Sequence, residues 1–551
     1  MSSYHLGAIA KATRPVRRVG LLGAAIGTAL SFVAAAPAHA DSDEVAALRQ
    51  QVQELTRRLD ALAAQQAKAA QAPAPAAAPA STPAPAPAPA AASSSPSFMA
   101  GPVKVTLGGF VELMVVNRNR NESADWASNY NGSIPFPQSP NYNLSEFHLT
   151  ERQSRWQALA QGPTDDPNVA AEAYLEGDFG AAPSNGNNNE STSFSPRVRH
   201  FYADYQRKDA GWYLLFGQTW SLLTQNKIGI TPRQENIPLT IDGQYVPGFN
   251  WTRVPQIRFV KTFGDQVAFG LSLENPAALV TTATTAPAAF LTANNYAPVF
   301  NNQGASSAYA GLITTDSAPD IIGKLAFDPG WGHYEVFAMD RTFRDRNANI
   351  NGAPHANNST NAFSYGGSVI LPLVPKVLEF TASVLAGDGI GRYGSAQLPD
   401  ATIKPDGSLA AIKGYDFLAG FSWKPDPFWT FYANVGREHA DKTDFNVVDA
   451  ASGATYGFGY GSPLFNDTGC LIESSPGACS ANTSSITQAT LGGWWKFYQG
   501  AIGNMQLGLQ LSHIKREVWA ATITGTPNTQ ASPSTDLNVG LISFRYYPYQ
   551  K

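Results

Sequence analysis

From residue 103 onward, apolar and polar residues alternate one by one along the chain. Val111, Leu113 and Val115 share one parity and Glu112 takes the other. The pattern returns in Ala171, Ala173 and Leu175 against Glu172, Glu176 and Asp178. It returns again in Phe269, Leu271 and Leu273 against Ser272 and Glu274, and in Leu507, Leu509 and Leu511 against Gln506, Gln510 and Ser512. A period of two is that of a β-strand, whose successive side chains point to opposite faces. The alternation places sixteen strands, near 103–116, 144–160, 168–180, 196–206, 211–219, 253–263, 266–274, 318–328, 331–340, 362–372, 376–385, 413–424, 427–436, 488–498, 503–515 and 536–547. Their connections are short and long in turn. Lys208-Asp209-Ala210, Gly264-Asp265 and Pro425-Asp426 are short; 117–143, 220–252, 275–317, 386–412 and 437–487 are long. One wet face, one apolar face, and short turns opposite long loops are the layout of an outer-membrane barrel. The expected fold class is therefore all-β: a 16-stranded antiparallel transmembrane β-barrel over residues 100–551. Trp212, Phe263, Trp331, Trp423, Phe428, Trp429, Phe497 and Tyr498 sit beside the short turns, where a girdle at the headgroup level belongs.

The period differs before residue 100. Val45, Leu48, Val52, Leu55, Leu59 and Leu62 are spaced as an a/d heptad seam, which predicts a coiled-coil helix over 41–70. Residues 71–99 are nearly all Ala, Pro and Ser and predict an extended linker. Residues 1–40 carry Lys11, Arg14, Arg17 and Arg18, then an uncharged run, then Ala38-His39-Ala40, the three parts of a secretory signal peptide. No later stretch is apolar enough for a spanning helix. The expected location is the cell outer membrane, with the N-terminal segment in the periplasm.

Composition narrows the function. Charged residues make up 15% of the chain, against about 25% in a typical soluble protein. The formal net charge of −4 gives no case for nucleic-acid binding. Removing residues 1–40 removes four basic and no acidic residues, leaving 34 basic against 42 acidic, or −8. The histidines His148, His200, His333, His355, His439 and His513 stand singly, so no metal site is expected. No Gly-x-Ser-x-Gly motif is present, so no enzyme and no cofactor is expected either.

The runs Glu151-Arg152-Gln153-Ser154-Arg155, Glu176-Gly177-Asp178-Phe179, Arg197-Val198-Arg199-His200 and Gly217-Gln218-Thr219-Trp220-Ser221 occur in that order. They resemble the DcaP-like trimeric outer-membrane porin family, and the heptads before the barrel resemble it too. The resemblance implies a trimeric barrel passing small hydrophilic solutes, with dicarboxylates a favoured class.

A sixteen-stranded barrel leaves an aqueous lumen that something must narrow. Residues 221–252, with Lys227, Arg233, Glu235 and Asp242, contain apolar stretches at Ile228–Ile230 and Ile237–Ile241 that suit a segment folded into the channel. The wall nearest in sequence offers Arg152, Arg197, Arg199 and Arg253, beside Glu172, Glu176 and Asp178, as pore-lining residues. Guanidinium groups hold carboxylates through paired hydrogen bonds and attract anions. Arg152 and Arg155 have opposite parity, so one strand face holds both only if a bulge intervenes. Cys470 and Cys479, with eight residues between them in the longest loop, are the right pair for a disulfide in an oxidising compartment.

The expected function is a porin for small anionic or neutral hydrophilic solutes, seated in outer-membrane lipid as a homotrimer. Two other readings compete. One is a sugar-selective porin, with lumenal aromatics such as Tyr174 stacking on sugars. The other is a structural tether in which the coil and linker act and the barrel only anchors.

Overall fold

The computed structural model describes residue 57 and residues 96–126, 130–184, 187, 189–293, 316–347, 356–480, 482–523 and 530–550. The signal peptide, the coiled coil and most of the linker lie outside these residues, except Arg57, which is helical. The barrel strands are β1 (Val103–Arg118), β2 (Glu146–Thr150, continued by Arg155–Gln161), β3 (Val169–Asp178), β4 (Arg197–Arg207), β5 (Trp212–Trp220), β6 (Arg253–Phe263), β7 (Val267–Glu274) and β8 (Asp320–Phe327). The second half is β9 (His333–Asn347), β10 (Ala356–Val374), β11 (Leu378–Asp388), β12 (Lys413–Trp423), β13 (Trp429–Ala440), β14 (Thr483–Gly500), β15 (Gly503–Val518) and β16 (Ser534–Tyr547).

Each strand pairs antiparallel with its neighbour in sequence, and β1 pairs with β16 to close the barrel, Val111 opposite Tyr546 and Arg118 opposite Val539. The chain enters the sheet at Ser97, inside the stretch expected to be linker. Ser97–Ala100 turns at Gly101 and pairs back on Val103–Thr106.

The period-two pattern sets the two faces. Val111, Leu113, Phe201, Phe216, Ile257, Leu491, Leu509 and Leu511 are exposed on the outer surface. So large an exposed apolar belt requires lipid or a partner against it. Trp423, Phe431, Trp429, Trp495, Phe497 and Phe544 form a continuous run of rings across β12, β13, β14 and β16 near the short turns, with centroids 5.4–6.1 Å apart. Among the described residues no helix is long and apolar enough to cross a membrane.

Two departures from the expected strands have local causes. The second strand, expected as one run, is interrupted at residues 151–154. There the Glu112 N–H donates to Ser154 Oγ (2.9 Å) in place of a ladder bond. Several strands also run beyond their expected ends, β10 from Ala356 and β14 from Thr483. Those extensions are polar, so they lack the alternation that marks a lipid-facing strand.

Candidate functional site

The segment between β5 and β6, residues 221–252, lies inside the barrel and is bonded to walls on opposite sides of it. Toward β8 to β10, Lys324 Nζ donates to the Thr224 carbonyl (2.8 Å), the Asn226 N–H to Glu335 Oε1 (2.9 Å), and Gln225 Nε2 to the Val369 carbonyl (3.1 Å). Toward β14 to β16, Trp494 Nε1 donates to the Leu239 carbonyl (2.8 Å), the Ile241 N–H to Gln510 Oε1 (2.6 Å), and Arg545 Nη2 to the Ile241 carbonyl (2.8 Å). The return limb is held by β12 and β13. The Gly248 N–H donates to Glu438 Oε1 (2.9 Å) and Asn250 Nδ2 to Asp416 Oδ2 (2.6 Å). A Cβ on Gly248 would stand 1.9 Å from the Phe417 carbonyl oxygen, and one on Gly436 1.9 Å from that of Pro247. Both glycines are needed for this close approach.

Apolar packing reinforces the bonds. Leu222, Leu223 and Ile230 join Tyr213, Leu215, Val260, Ile322 and Phe337 in one interior cluster, and Ile241 joins Met114, Val116, Tyr432 and Trp494 in another. Ile228 and Leu239, from the same apolar stretches, remain exposed. An isolated loop in water would not bury side chains so completely.

Beside this segment the wall carries a compact charge cluster. Arg197 grips Asp178 with two parallel bonds, Nε to Oδ1 at 2.9 Å and Nη2 to Oδ2 at 2.7 Å. Arg199, 1% exposed, bridges Glu176 (2.5 Å) and Asp178 (3.0 Å). A register shift between β3 and β4 at Glu176/Gly177 lets His200 share the inner face with Arg199, and His200 bonds Thr219 (3.0 Å). The interruption of β2 brings Arg155 inward, 3.8 Å from Glu176. Arg253 lies over the rings of Trp220 and Trp251, at 5.0 and 5.3 Å, and has no ion-pair partner among the described residues. Four guanidiniums therefore face two carboxylates. The cluster carries a local excess of positive charge.

The other candidates fall elsewhere. Arg152 does not join this cluster. It bonds Asp125 (3.0 Å) and the carbonyls of Phe179 and Ala181, because the break in β2 turns it toward the loops. Glu172 pairs with Arg233 of the inward segment (2.7 Å), whose Nη1 also donates to the Tyr202 hydroxyl (3.0 Å). Lys227 is exposed, whereas Glu235 and Asp242 are buried. Tyr174 is largely buried, packed on Tyr202 and bonded to Glu176 (2.8 Å), and it lines the cavity that also holds Arg155 and Arg199.

Other residues hold the segment without belonging to any of the sequence motifs above. Arg545 pairs with Glu112 (3.0 Å) while holding Ile241. Lys324 and Glu335, both with fully buried side chains, pair at 3.0 Å. Their signal was parity: Ser543 and Arg545 alternate with Ile542 and Phe544, and Glu335 alternates with Tyr334 and Val336.

Burial raises the carboxyl groups of the inward segment. Glu235 is pushed up from its ordinary value, and Asp242 from 3.8 to about 6; Asp242 keeps bonds that favour its charged form, such as that from Gln510 Nε2 (3.1 Å). The folded state thus binds the Asp242 proton more tightly than the unfolded chain. The cost of the buried charge is present above about pH 6 and is relieved as pH falls toward 3.8. Asp242→Asn is expected to stabilise the protein at pH 7 by up to about 3 kcal/mol, two pH units at about 1.4 kcal/mol each. It is also expected to flatten the stability profile between pH 4 and about 6. Denaturant unfolding of both proteins across that range checks this, and a parallel profile contradicts it.

The Cys470 and Cys479 sulfurs are 2.13 Å apart, a bonded pair, within a loop region packed on Phe136 and Val518. Asp467 lies beside them, but bonded sulfurs are not thiolate ligands. Closing a loop of sequence separation 9 is worth about 3 kcal/mol in the chain-entropy account. Reduction is therefore expected to open this loop to protease while leaving the barrel's strand content by circular dichroism unchanged. Loss of strand content on reduction contradicts a purely local role.

No protein-family model matches the chain, and no curated protein matches its sequence. Solved structures do match. The outer membrane channel DcaP of Acinetobacter baumannii superposes with a TM-score of 0.54 at 14% identity, over 82% of this chain and 99% of that one. An anion-selective porin from Comamonas acidovorans gives a TM-score of 0.40 at 10% identity, over 81% of this chain and 99% of that one. OprB of Pseudomonas putida gives 0.40 at 9% identity, over 80% and 94%. The likeness to the DcaP channel is one of fold.

Proposed function

We propose that the protein is an outer-membrane porin through which small hydrophilic solutes diffuse, with a preference for anions, dicarboxylates among them. The observation that carries this reading is an inward segment anchored across a closed barrel beside four guanidiniums and two carboxylates. Such a segment narrows a lumen, and the uncompensated charge on Arg253 acts on whatever passes. The exposed apolar belt and ring girdle fit outer-membrane lipid. The reading includes no catalytic step and no cofactor. A homotrimer is part of it: Ala160, Ala173 and Ala203 lie side by side on the outer face of β2 to β4, and so flat a surface suits a neighbouring barrel. The heptads of residues 41–70 would then add a periplasmic association.

Insertion of the purified protein into planar bilayers tests the reading. Discrete, long-lived conductance steps are expected. Folded barrels that insert and give no steps contradict it.

A further inference from the structure

The inward segment separates two cavities of different chemistry, and Ile237 lines both. One, of about 370 Å³, is bounded by β1 to β5 and contains Arg155, Arg199, Arg233 and Glu176. It belongs to the charged site already described. The other, of about 290 Å³, is bounded by β9 to β13 and by both limbs of the inward segment.

The second cavity has a different lining. Asn236 and Asn250 come from the inward segment, Thr381 and Ser383 from β11, Ser422 from β12 and Asn434 from β13. Side-chain amides and hydroxyls both donate and accept hydrogen bonds. Between them stand buried Phe249, Phe337 and Tyr432. Among the described residues its charged lining groups are Lys227, Lys424 and Glu379, and no arginine lines it. A carboxylate entering here would find no guanidinium pair to replace its water. A neutral solute carrying several hydroxyls would find amides and hydroxyls for its edges and rings for its C–H faces.

We infer that this second cavity is a subsite for neutral polyols of about monosaccharide size, separate from the arginine side of the same lumen. The inference rests on the porin reading and deepens it by naming a second solute class. The volume of about 290 Å³ lies just below the roughly 300–1,000 Å³ typical of small-molecule sites, which favours a single ring over longer oligomers. The inference also places neutral-solute chemistry on the wall opposite Tyr174, which lines the cavity on the arginine side.

Proteoliposome swelling with glucose or with sodium succinate, using the full chain, tests this. Thr381→Val combined with Asn434→Leu should slow glucose-driven swelling by about tenfold, the factor carried by about 1.4 kcal/mol, and leave succinate-driven swelling near wild type. Arg253→Gln should do the reverse. Ser383→Met supplies a second obstruction should the double variant fail to fold, with circular dichroism as the control for strand content. If the cavity variants slow both solutes equally, or leave glucose unchanged while succinate swelling persists, this inference is overturned and the porin reading stands. If folded wild-type barrels admit neither solute, both are overturned.

Discussion

Glu335→Ala is expected to cost about 3–5 kcal/mol of stability and to release one end of the inward segment. Glu335 has a fully buried side chain and holds four partners at once. Lys324 Nζ lies at 3.0 Å, the Asn226 N–H at 2.9 Å, the Ser368 hydroxyl at 2.7 Å and His333 Nε2 at 3.2 Å. Removing the carboxylate leaves a buried ammonium without its ion-pair partner, bonded to the Thr224 carbonyl and Asn226 Oδ1. An unpaired charge in that position is far more costly than the pair itself. Lys324→Met combined with Glu335→Leu removes both charges and is expected to recover most of the loss. Open-channel noise should rise in the single variant as residues 224–230 lose their hold on β9. Unfolding midpoints in detergent and single-channel traces provide the check. A single variant within about 1 kcal/mol of wild type, with quiet traces, would mean that this clamp does not position the segment.

The second large effect separates two arginines that look alike in sequence. Arg199 is buried between Glu176 and Asp178, so Arg199→Ala takes the nearest cation from buried Glu176, while Asp178 keeps Arg197, and is expected to cost about 3 kcal/mol. Arg253 has ring faces for neighbours and no carboxylate partner among the described residues. Arg253→Gln is therefore expected to change stability little while lowering the local balance from four cations against two anions to three against two. Anion preference should fall in both variants, but only Arg199→Ala should unfold more easily. Equal stability losses would show that Arg253 is held by a buried ion pair after all.

Much of this was legible in the chain before any coordinates. The alternation of Val111 to Val115 and of Leu507 to Leu511 sets the face of each strand, and a period of two admits only two choices. The inward fold of residues 221–252 was legible in Ile230 and Ile241, which no solvated loop would carry without cover. What alternation misreads is the interrupted strand. Arg152 and Arg155 differ in parity, and whether either faces the lumen depends on where β2 breaks. That break is set by Ser154 meeting the Glu112 N–H, a contact between residues 42 apart in sequence. The register shift at Glu176/Gly177, which turns both Arg199 and His200 inward, is equally invisible to parity. Lys324 and Glu335 were hidden for another reason. A charged residue on an inward face reads as facing water, and only the packing of a second segment against it makes it buried.

Anion preference is tested by the reversal potential of the wild-type protein in a planar bilayer under a KCl gradient. Open channels are expected in which chloride carries the larger share of the current, with that share reduced in Arg253→Gln. Clear cation selectivity in the wild type would contradict an anion-preferring lumen.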